Sequence, residues 1–314
     1  MKLAVTGGTG FVGRHVLPLL AQQSWSVNVL VRDPMNVVAA QNMTIIPGNV
    51  SDRAALDQLC LDCDVMLHMA GAISGTPDHM MHVNAEGTKN AIAAAAAAGV
   101  RRFIYVSSLA AREPDLSAYG KSKSEAEMAV RLAPRELQTL IVRPSAVYGE
   151  GDEATLPLLK MLMSHTAMIP GTAKARFSLI HVEDLARILV AAVGGNVEGL
   201  REVDDGHGGY TWGQVAEVTQ WLFGRPKSTF HIPKIAAFAV GHAGDFAAKV
   251  TGRPSMVSAD KMRQLYHHDW AVQPPGLPRE KPIPLTEGMR RTLLWSMDKG
   301  LLPRVSPIDR SPAS

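Results

Sequence analysis

The chain has 314 residues, enough for one large domain or two smaller ones, and its apolar fraction of 46% is ordinary for a globular protein. A net charge of only +3 gives no argument for binding nucleic acid or an anionic membrane. No apolar run reaches the roughly 18–20 residues that a membrane span needs. The N-terminus also lacks the pattern of a signal peptide. The sequence therefore predicts a cytoplasmic protein without a membrane span.

A buried strand followed by a glycine-rich turn opens the chain. Lys2–Val5 is the predicted strand, and Gly7, Gly10 and Gly13 follow it at intervals of three residues. Gly7 permits a tight turn, Gly10 lets a pyrophosphate approach the backbone, and Gly13 lets the next helix pack on the strand. The start of that helix offers unpaired N–H groups and the positive end of a dipole. This arrangement predicts a dinucleotide site at the N-terminus.

Apolar strands alternate with helices through the first half of the chain. The further strands predicted there are Ser26–Val31, Thr44–Pro47, Asp64–Met69, Phe103–Ser107 and Leu140–Pro144. The intervening helices include Phe11–Gln23, Val83–Ala98 and Tyr119–Arg131. Such spacing is typical of βαβ units, so we predict an α/β fold with a Rossmann-type, doubly wound parallel sheet. Ligands of such sheets bind at the carboxyl ends of the strands.

The regular alternation ends after Tyr148. Helical segments follow around Ile235–Val250, Ser258–Tyr266 and Pro284–Lys299. We predict a dinucleotide-binding domain over 1–148, to which 178–204 returns. A smaller, mainly helical substrate domain is predicted over 149–177 and 205–302. The proline- and serine-rich residues 303–314 are predicted to form a frayed tail.

A second motif begins a predicted helix at Tyr119. Tyr119 and Lys123 are four residues apart and share one helical face, where an ammonium group favours the phenolate and lowers its pKa. Alone, this pair is more often a solvated surface pair. Ser107 and Ser108, however, end the fifth strand at the same sheet edge as the glycine turn. A hydroxyl, a phenol and an ammonium group are therefore predicted to converge at that edge.

With both motifs present, the chain resembles the extended short-chain dehydrogenases/reductases of the epimerase/dehydratase type over essentially its whole length. The resemblance implies that Ser108, Tyr119 and Lys123 are catalytic. It also implies cofactor contacts from residues of the glycine turn and from positions that follow the strands: Gly7, Gly10, Phe11, Val12, Gly13, Asn49, Val50, Ala70, Gly71, Lys123, Pro144 and Val147. The family usually has Asp where this chain has Asn49. Asn84 matches an asparagine that steadies the active-site strand, and His181 matches a structural histidine.

The position after the second strand bears on the choice of cofactor. NAD-binding relatives carry a carboxylate there for the ribose hydroxyls, whereas this chain has Val31 followed by Arg32. A guanidinium group matches a 2′-phosphate, so we predict NADP rather than NAD, with Arg32 as a ligand. The alternative is that Arg32 faces solvent or stacks on the adenine.

Many relatives that act on nucleotide sugars place an arginine where this chain has Phe177, and Arg176 is one residue away. On a strand, that shift turns the side chain to the other face. We therefore predict an NADP(H)-dependent oxidoreductase that acts on the carbonyl or alcohol of a small, fairly apolar molecule. The alternatives are an epimerase or dehydratase with tightly bound NAD(P), and a non-catalytic NADP-binding subunit or redox sensor. The resemblance leaves a homodimer open, through the helices that carry Asn84 and Tyr119.

Cys60 and Cys63 are the two cysteines, which excludes a disulfide scaffold. Their C-x-x-C spacing is compatible with redox chemistry or zinc, but no further ligands lie nearby in a recognisable pattern. We predict two small apolar fillers and no metal site.

Overall fold

The computed structural model describes residues 1–36, 40–169, 171–251, 258–273, 277 and 281–308. The last six residues of the predicted frayed tail, 309–314, lie outside this description.

Seven parallel strands form the main sheet in the order β11-β6-β5-β4-β1-β2-β3. They are β1 (Lys2–Thr6), β2 (Ser26–Val31), β3 (Met43–Pro47), β4 (Val65–His68), β5 (Arg102–Val106), β6 (Gln138–Pro144) and β11 (Gly199–Val203). The strand order reverses between β1 and β4, and such a reversal opens a crevice at the carboxyl ends of the strands. The predicted doubly wound α/β sheet is confirmed.

Short strand pairs supplement the main sheet. They are β7 (Ala146–Tyr148) with β10 (Leu179–His181), β8 (Thr166–Ile169) with β12 (Ser228–His231), and β9 (Arg176–Phe177) with β13 (Asp269–Trp270). The helices are α1 (Phe11–Ala21), α2 (Arg53–Cys60), α3 (Pro77–Met81), α4 (Gly87–Ala97), α5 (Ala118–Arg131), α6 (Leu156–Leu162), α7 (Val182–Gly194), α8 (Trp212–Phe223), α9 (Lys234–Thr251), α10 (Ala259–Leu265) and α11 (Leu285–Asp298).

The chain divides into two compact units. The first comprises Met1–Pro144, Leu185–Val203 and Gln273–Pro278, and the second comprises Ser145–Asp184, Asp204–Val272 and Arg279–Ser314. The first contains the whole main sheet, whereas the second contains the short strand pairs and helices α6 and α8 to α11. That the second unit binds the substrate stays a prediction.

The core of the first unit lies between the sheet and its helices. The central strands are buried on both faces, as expected of a parallel sheet covered by helices. The alanine-rich helix α4 buries Ala91, Ala94 and Ala95 completely, since small side chains allow close packing. Cys60 and Cys63 belong to this core, where burial raises their thiol pKa values to about 12 and about 11. Cys63 also has polar contacts, since its Sγ donates to the Leu59 carbonyl oxygen at 3.3 Å and accepts from Asn28 Nδ2 at 3.6 Å.

Over the described residues, none of the helices combines the length and the hydropathy that crossing a bilayer requires.

Candidate active site

Two glycines at the turn after β1 and the start of α1 have no room for a Cβ atom. Gly7 has φ +74°, and a Cβ there would lie 2.5 Å from the backbone nitrogen of Ala70, in the loop after β4. At Gly13 a Cβ would lie 2.2 Å from the Gly7 carbonyl oxygen. Both distances are far below van der Waals contact. Glycine therefore lets the turn, the loop after β4 and helix α1 lie against one another.

Helix α1 begins at this turn without a side-chain cap. Its N-cap is Gly10, which is extended and makes no side-chain hydrogen bond to the first turn. The N–H groups at a helix start need acceptors, and their dipoles favour an anion. The uncapped start, with Phe11 and Val12 as its first residues, therefore fits a pyrophosphate. Among the described residues, a Cβ at Gly10 would meet only the Gly7 carbonyl oxygen, at 3.3 Å.

Close packing brings Tyr119 to Ser108. Ser117 caps α5 by accepting a hydrogen bond from the N–H of Gly120 at 3.0 Å. A Cβ on Gly120 would lie 2.7 Å from the Ala110 carbonyl oxygen, so the start of α5 rests on the turn after β5. Ser108 begins that turn and accepts a hydrogen bond from the Ala110 N–H. The two predicted catalytic side chains are thus held by adjoining backbone.

Burial raises the pKa of the Tyr119 phenol above its ordinary value, and the hydrogen bond with Ser108 acts in the opposite direction. The sequence argument expected Lys123 to lower the pKa of this phenol. In the structure the net shift is upward because burial disfavours the phenolate. The Tyr119 phenol is therefore protonated at neutral pH, the form that can donate a proton.

Lys123 lies one turn further along α5 and is almost completely buried. Its Nζ donates to the Val106 carbonyl oxygen at 2.8 Å and lies 4.4 Å from the centre of the Tyr105 ring. A Cβ on Gly71 would lie 3.7 Å from Nζ, so the ammonium group borders the loop after β4. Burial lowers the pKa of Lys123 to about 7, and Glu127 partly opposes this. The lysine thus lies between the ends of β4 and β5.

Asn84 connects the loop after β4 to helix α5. Its Oδ1 accepts the Ala72 N–H at 2.7 Å, and its Nδ2 donates to the Ala72 carbonyl at 2.9 Å and to the Ser122 hydroxyl at 2.8 Å. It lies in a π-helical turn, His82–Glu86, a feature that often marks functional sites. These bonds hold Gly71 and the helix of Tyr119 in register.

A buried network of charges supports this region, and the sequence analysis missed it. Glu127, 3% exposed, receives two 2.7 Å hydrogen bonds from Arg143 and one of 2.6 Å from Ser107. Arg143 also faces Glu202, which in turn pairs with Arg112. Two signals were available: Glu127 is four residues after Lys123, and Arg143 interrupts an apolar strand. A charged residue in such a strand requires a partner.

A second set of contacts that the sequence analysis missed joins Thr6 at the end of β1, His68 at the end of β4 and Thr88 on helix α4. The ring of His68 lies 2.8 Å from the Thr6 hydroxyl and 3.1 Å from the Thr88 hydroxyl. Complete burial lowers the pKa of His68 to about 3, so the ring is neutral. The Thr6 hydroxyl also accepts the Ala70 N–H at 3.2 Å. This network positions the predicted cofactor loop.

The predicted adenosine side lies after β2 and β3. Arg32 is exposed directly after Val31, the last residue of β2. The Asp33 carboxylate accepts the Met35 N–H at 3.0 Å. Asn49 is exposed and accepts the Ser51 N–H at 2.8 Å, whereas Val50 is buried against α4. Arg32, Asn49 and Val50 therefore follow neighbouring strands at one edge of the sheet.

The remaining predicted positions belong to different units. Pro144 ends β6 in the first unit, while Val147 lies on β7 in the second, opposite Ile180. His181 is completely buried, accepts the Glu183 N–H at 3.3 Å and lies 3.3 Å from a Glu150 oxygen. Burial lowers the pKa of His181. These contacts fit the structural role expected of it.

A family model, the NAD dependent epimerase/dehydratase family, matches residues 3–202. The chain belongs to this family. It is an NAD(P)-dependent enzyme of the extended short-chain dehydrogenase/reductase type, as the resemblance implied. Dimerisation and the roles of individual residues stay predictions.

Family members similar over their whole length differ in activity. The chain is 37% identical over 310 residues to the ceramide reductase of Caulobacter vibrioides (strain NA1000 / CB15N), with 96% of each chain covered. It is 27% identical over 327 residues to the N-acetyl-alpha-D-glucosaminyl-diphospho-ditrans,octacis-undecaprenol 4-epimerase of Escherichia coli O157:H7, with 94% of this chain and 95% of that one covered.

Solved structures share the fold. The crystal structure of gox2253 matches with a TM-score of 0.73 at 23% identity, covering 96% of this chain and 99% of that one. Bordetella bronchiseptica WbmH, solved in complex with NAD+, matches with a TM-score of 0.72 at 19% identity, covering 95% and 99%.

Proposed function

We propose that this family member is an NADP(H)-dependent reductase of a ketone on a ceramide-class lipid. The whole-length similarity to a ceramide reductase, at 37% identity, carries this proposal. This similarity agrees with the sequence-based prediction of an apolar carbonyl substrate, and it narrows that substrate to a lipid of the ceramide class. A reductase needs a carbonyl that accepts hydride. A ketone on the long-chain base meets that need, whereas resonance makes the amide carbonyl of a ceramide a poor acceptor.

In this proposal, Tyr119 is the proton donor. Its phenol, held neutral by burial, gives the proton to the carbonyl oxygen while the carbonyl carbon becomes a carbinol carbon. Ser108 donates a hydrogen bond to the same oxygen and stabilises the charge that develops on it. Bound NADPH would supply the hydride. Lys123 would stabilise the phenolate that remains until water reprotonates it.

The residues of the first unit fit a dinucleotide. The uncapped start of α1 would hold the pyrophosphate, and the space kept open at Gly71 would take the nicotinamide ribose beside Lys123. Arg32 supports NADP because its exposed guanidinium group follows β2. Asp33, the nearest carboxylate in the chain, already accepts the Met35 N–H. Because the Asp33 carboxylate is hydrogen-bonded within its own turn, Arg32 is the charged side chain at this position that would bind the 2′-phosphate.

An epimerase is the second candidate, because the chain is also similar over its whole length to a 4-epimerase of a lipid-linked amino sugar. Against it, Phe177 stands where many relatives that act on nucleotide sugars have an arginine to hold the diphosphate, and the neighbouring Arg176 is already hydrogen-bonded elsewhere. Arg176 donates to the carbonyl oxygens of Gly208 and Gly209, each at 3.1 Å. The partly buried Phe177 packs against Trp212 with 4.6 Å between ring centres. Phe177 carries no charge, and the Arg176 guanidinium group is already hydrogen-bonded to backbone carbonyls, so this arrangement presents no free cation to a diphosphate from these two positions.

The test is a turnover assay with purified protein, a keto-ceramide in detergent micelles, and NADPH or NADH. We expect oxidation of NADPH and a carbinol product, and about 10²–10⁴-fold lower kcat for Tyr119→Phe, with NADPH binding retained. A UDP-linked or undecaprenyl-diphospho-linked amino sugar is the parallel substrate. Epimerisation without net oxidation of NADPH would replace the proposal by the second candidate. Binding of NADPH with no turnover of either substrate would favour a non-catalytic role.

A further inference from the structure

Helix α9 packs against the second unit through one narrow face. Ala237 is 4% exposed, and a Cβ on Gly241 would lie 3.0 Å from the Ala259 backbone nitrogen, so α9 lies close to α10. Phe238 meets Tyr266 edge-on at 6.0 Å. Asp245 accepts the Ala259 N–H at 3.0 Å. These contacts fix which side of α9 faces the unit.

The opposite face of α9 is apolar and exposed. Ile235, Val240 and Phe246 are 87%, 59% and 70% exposed. Up to Ala247, the other exposed positions on this face, between and beside them, are alanines and one histidine: Ala236, Ala239, His242, Ala243 and Ala247. A surface helix normally turns polar residues to water, so this face is the reverse of the usual pattern. Residues three and four apart adjoin on a helix, and the apolar side chains therefore form one stripe.

The strand before α9 extends the apolar surface. Phe230 is 62% exposed, and its register partner Met168 on β8 is 57% exposed. Register partners project from the same face of a sheet, so the two side chains form one exposed pair. Phe230 precedes the first residue of α9, Lys234, by four residues.

The segment 225–254, which contains Phe230 and α9, is strongly basic. Residues 225–254 contain five of the 32 Lys and Arg residues of the chain but one of its 29 Asp and Glu residues. The segment therefore carries +4, while the rest of the chain carries −1. Lys227 and Lys234 are exposed, and neither forms an ion pair within the part of the chain that the structure describes. Lys234 is the first residue of α9, with Nζ 5.7 Å from the centre of the Phe238 ring, and Lys227 directly precedes β12. A helix that combines an exposed apolar stripe with nearby lysines is typical of helices that lie in a membrane interface.

We propose that α9 and Phe230 dock this protein on an anionic phospholipid bilayer. The apolar stripe enters the boundary between headgroups and acyl chains, and the lysines contact the phosphates. A second copy of the chain fits this surface less well, because it would bring two segments of +4 together. Docking goes beyond the proposed reaction and does not require it, although a reductase of long-chain lipids would collect its substrate there.

The test is sedimentation of the purified protein with vesicles of phosphatidylglycerol and phosphatidylcholine, compared with phosphatidylcholine alone. We expect binding to the anionic vesicles that weakens with added salt. A variant with Ile235→Ser, Val240→Ser and Phe246→Ser is expected to bind at least about tenfold more weakly. Lys227→Glu with Lys234→Glu is expected to abolish the preference for anionic lipid. Leu61→Ser removes an apolar side chain that is equally exposed, at 59%, but lies on the first unit, and should bind as the wild type does.

Circular dichroism melts establish that each variant is folded, and vesicle binding is measured without turnover, so the reductase proposal can fail independently. The docking proposal is overturned if the protein stays in the supernatant. It is also overturned if the serine variant sediments like the wild type, or if neutral vesicles bind equally well. Concentration-dependent dimerisation that the serine variant loses, without vesicle binding, would assign the stripe to a second copy.

Discussion

Lys123 illustrates how the fold changes the chemistry of a single residue. Its ammonium group is enclosed between Val106, the Tyr105 ring and the loop at Gly71, and burial lowers its pKa to about 7. The ordinary pKa of a lysine lies several units higher. Between pH 7 and the ordinary value, folding therefore releases the proton, and the native state gains stability as pH rises through this window.

This residue predicts a proton uptake that accompanies cofactor binding. At pH 8 Lys123 is mostly neutral in the free protein, and a nearby dinucleotide carries negative charge that raises the pKa. We expect NADPH to bind with the uptake of up to one proton. Isothermal titration calorimetry in two buffers of different ionisation enthalpy measures it. Lys123→Met should remove the uptake, and an unchanged value would locate the proton elsewhere.

At the scale of elements, the first turns of α1 pack directly against the backbone of the turn that precedes the helix. Gly13→Ala would place a Cβ 2.2 Å from the Gly7 carbonyl oxygen. The turn must then move, and we expect the free energy of unfolding to fall by about 1–3 kcal/mol and NADPH binding to weaken. Gly213→Ala is the matched control, because its Cβ in the first turn of α8 would meet only the Thr211 hydroxyl at 3.7 Å. We expect that control to be neutral or stabilising by up to about 1 kcal/mol in urea denaturation. Equal effects of the two substitutions would contradict this interpretation.

Helix α5 is tied to β6 by the pair of Glu127 and Arg143. Glu127→Gln would leave the largely buried Arg143 guanidinium group, 14% exposed, without its main counter-charge, so we expect the free energy of unfolding to fall by about 3 kcal/mol. Asp57→Asn removes an ion pair to Arg53 of the same 2.7 Å length, but both side chains are about half exposed. That control should cost less than about 1 kcal/mol. Guanidinium denaturation of both variants compares buried and exposed pairs at equal distance, and a similar cost for both would refute the assigned role of burial.

At the scale of the whole molecule, cofactor choice is expected to be visible in thermal stability. A ligand that binds only the native state stabilises it by about 2.7 kcal/mol at a concentration of 100 times its Kd. We expect NADPH to raise the Tm more than NADH does at equal concentration. Arg32→Ala should remove most of that difference, because one charge-assisted contact to the 2′-phosphate is lost. An equal shift from both cofactors in the wild type would show no preference for the 2′-phosphate and overturn the assignment of Arg32, and a larger shift from NADH would favour NAD.

The patterns that sequence carries are local, and the fold preserved them. The period of apolar residues located the strands and helices of the first unit, and the glycine spacing located the turn after β1. The interval of four between Tyr119 and Lys123 placed both on one face of α5. Each of these follows from backbone geometry within a few residues, so it can be predicted from the sequence without knowing which distant residues come into contact.

Other features depend on contacts between distant residues. Glu127 and Glu125 belong to the same helix, and only the approach of β6 makes one of them a buried counter-charge. The apolar run from Ile235 to Val250 similarly does not reveal which side faces water. The packing of Gly241 on Ala259 decides that it is the side with Phe246. By itself, the sequence determined the doubly wound fold, because periodicity and spacing are properties of the local chain, and its resemblance to a known family named the candidate catalytic residues. Only the tertiary structure decided which charges and apolar surfaces are buried, because burial is a property of the elements that pack around a residue.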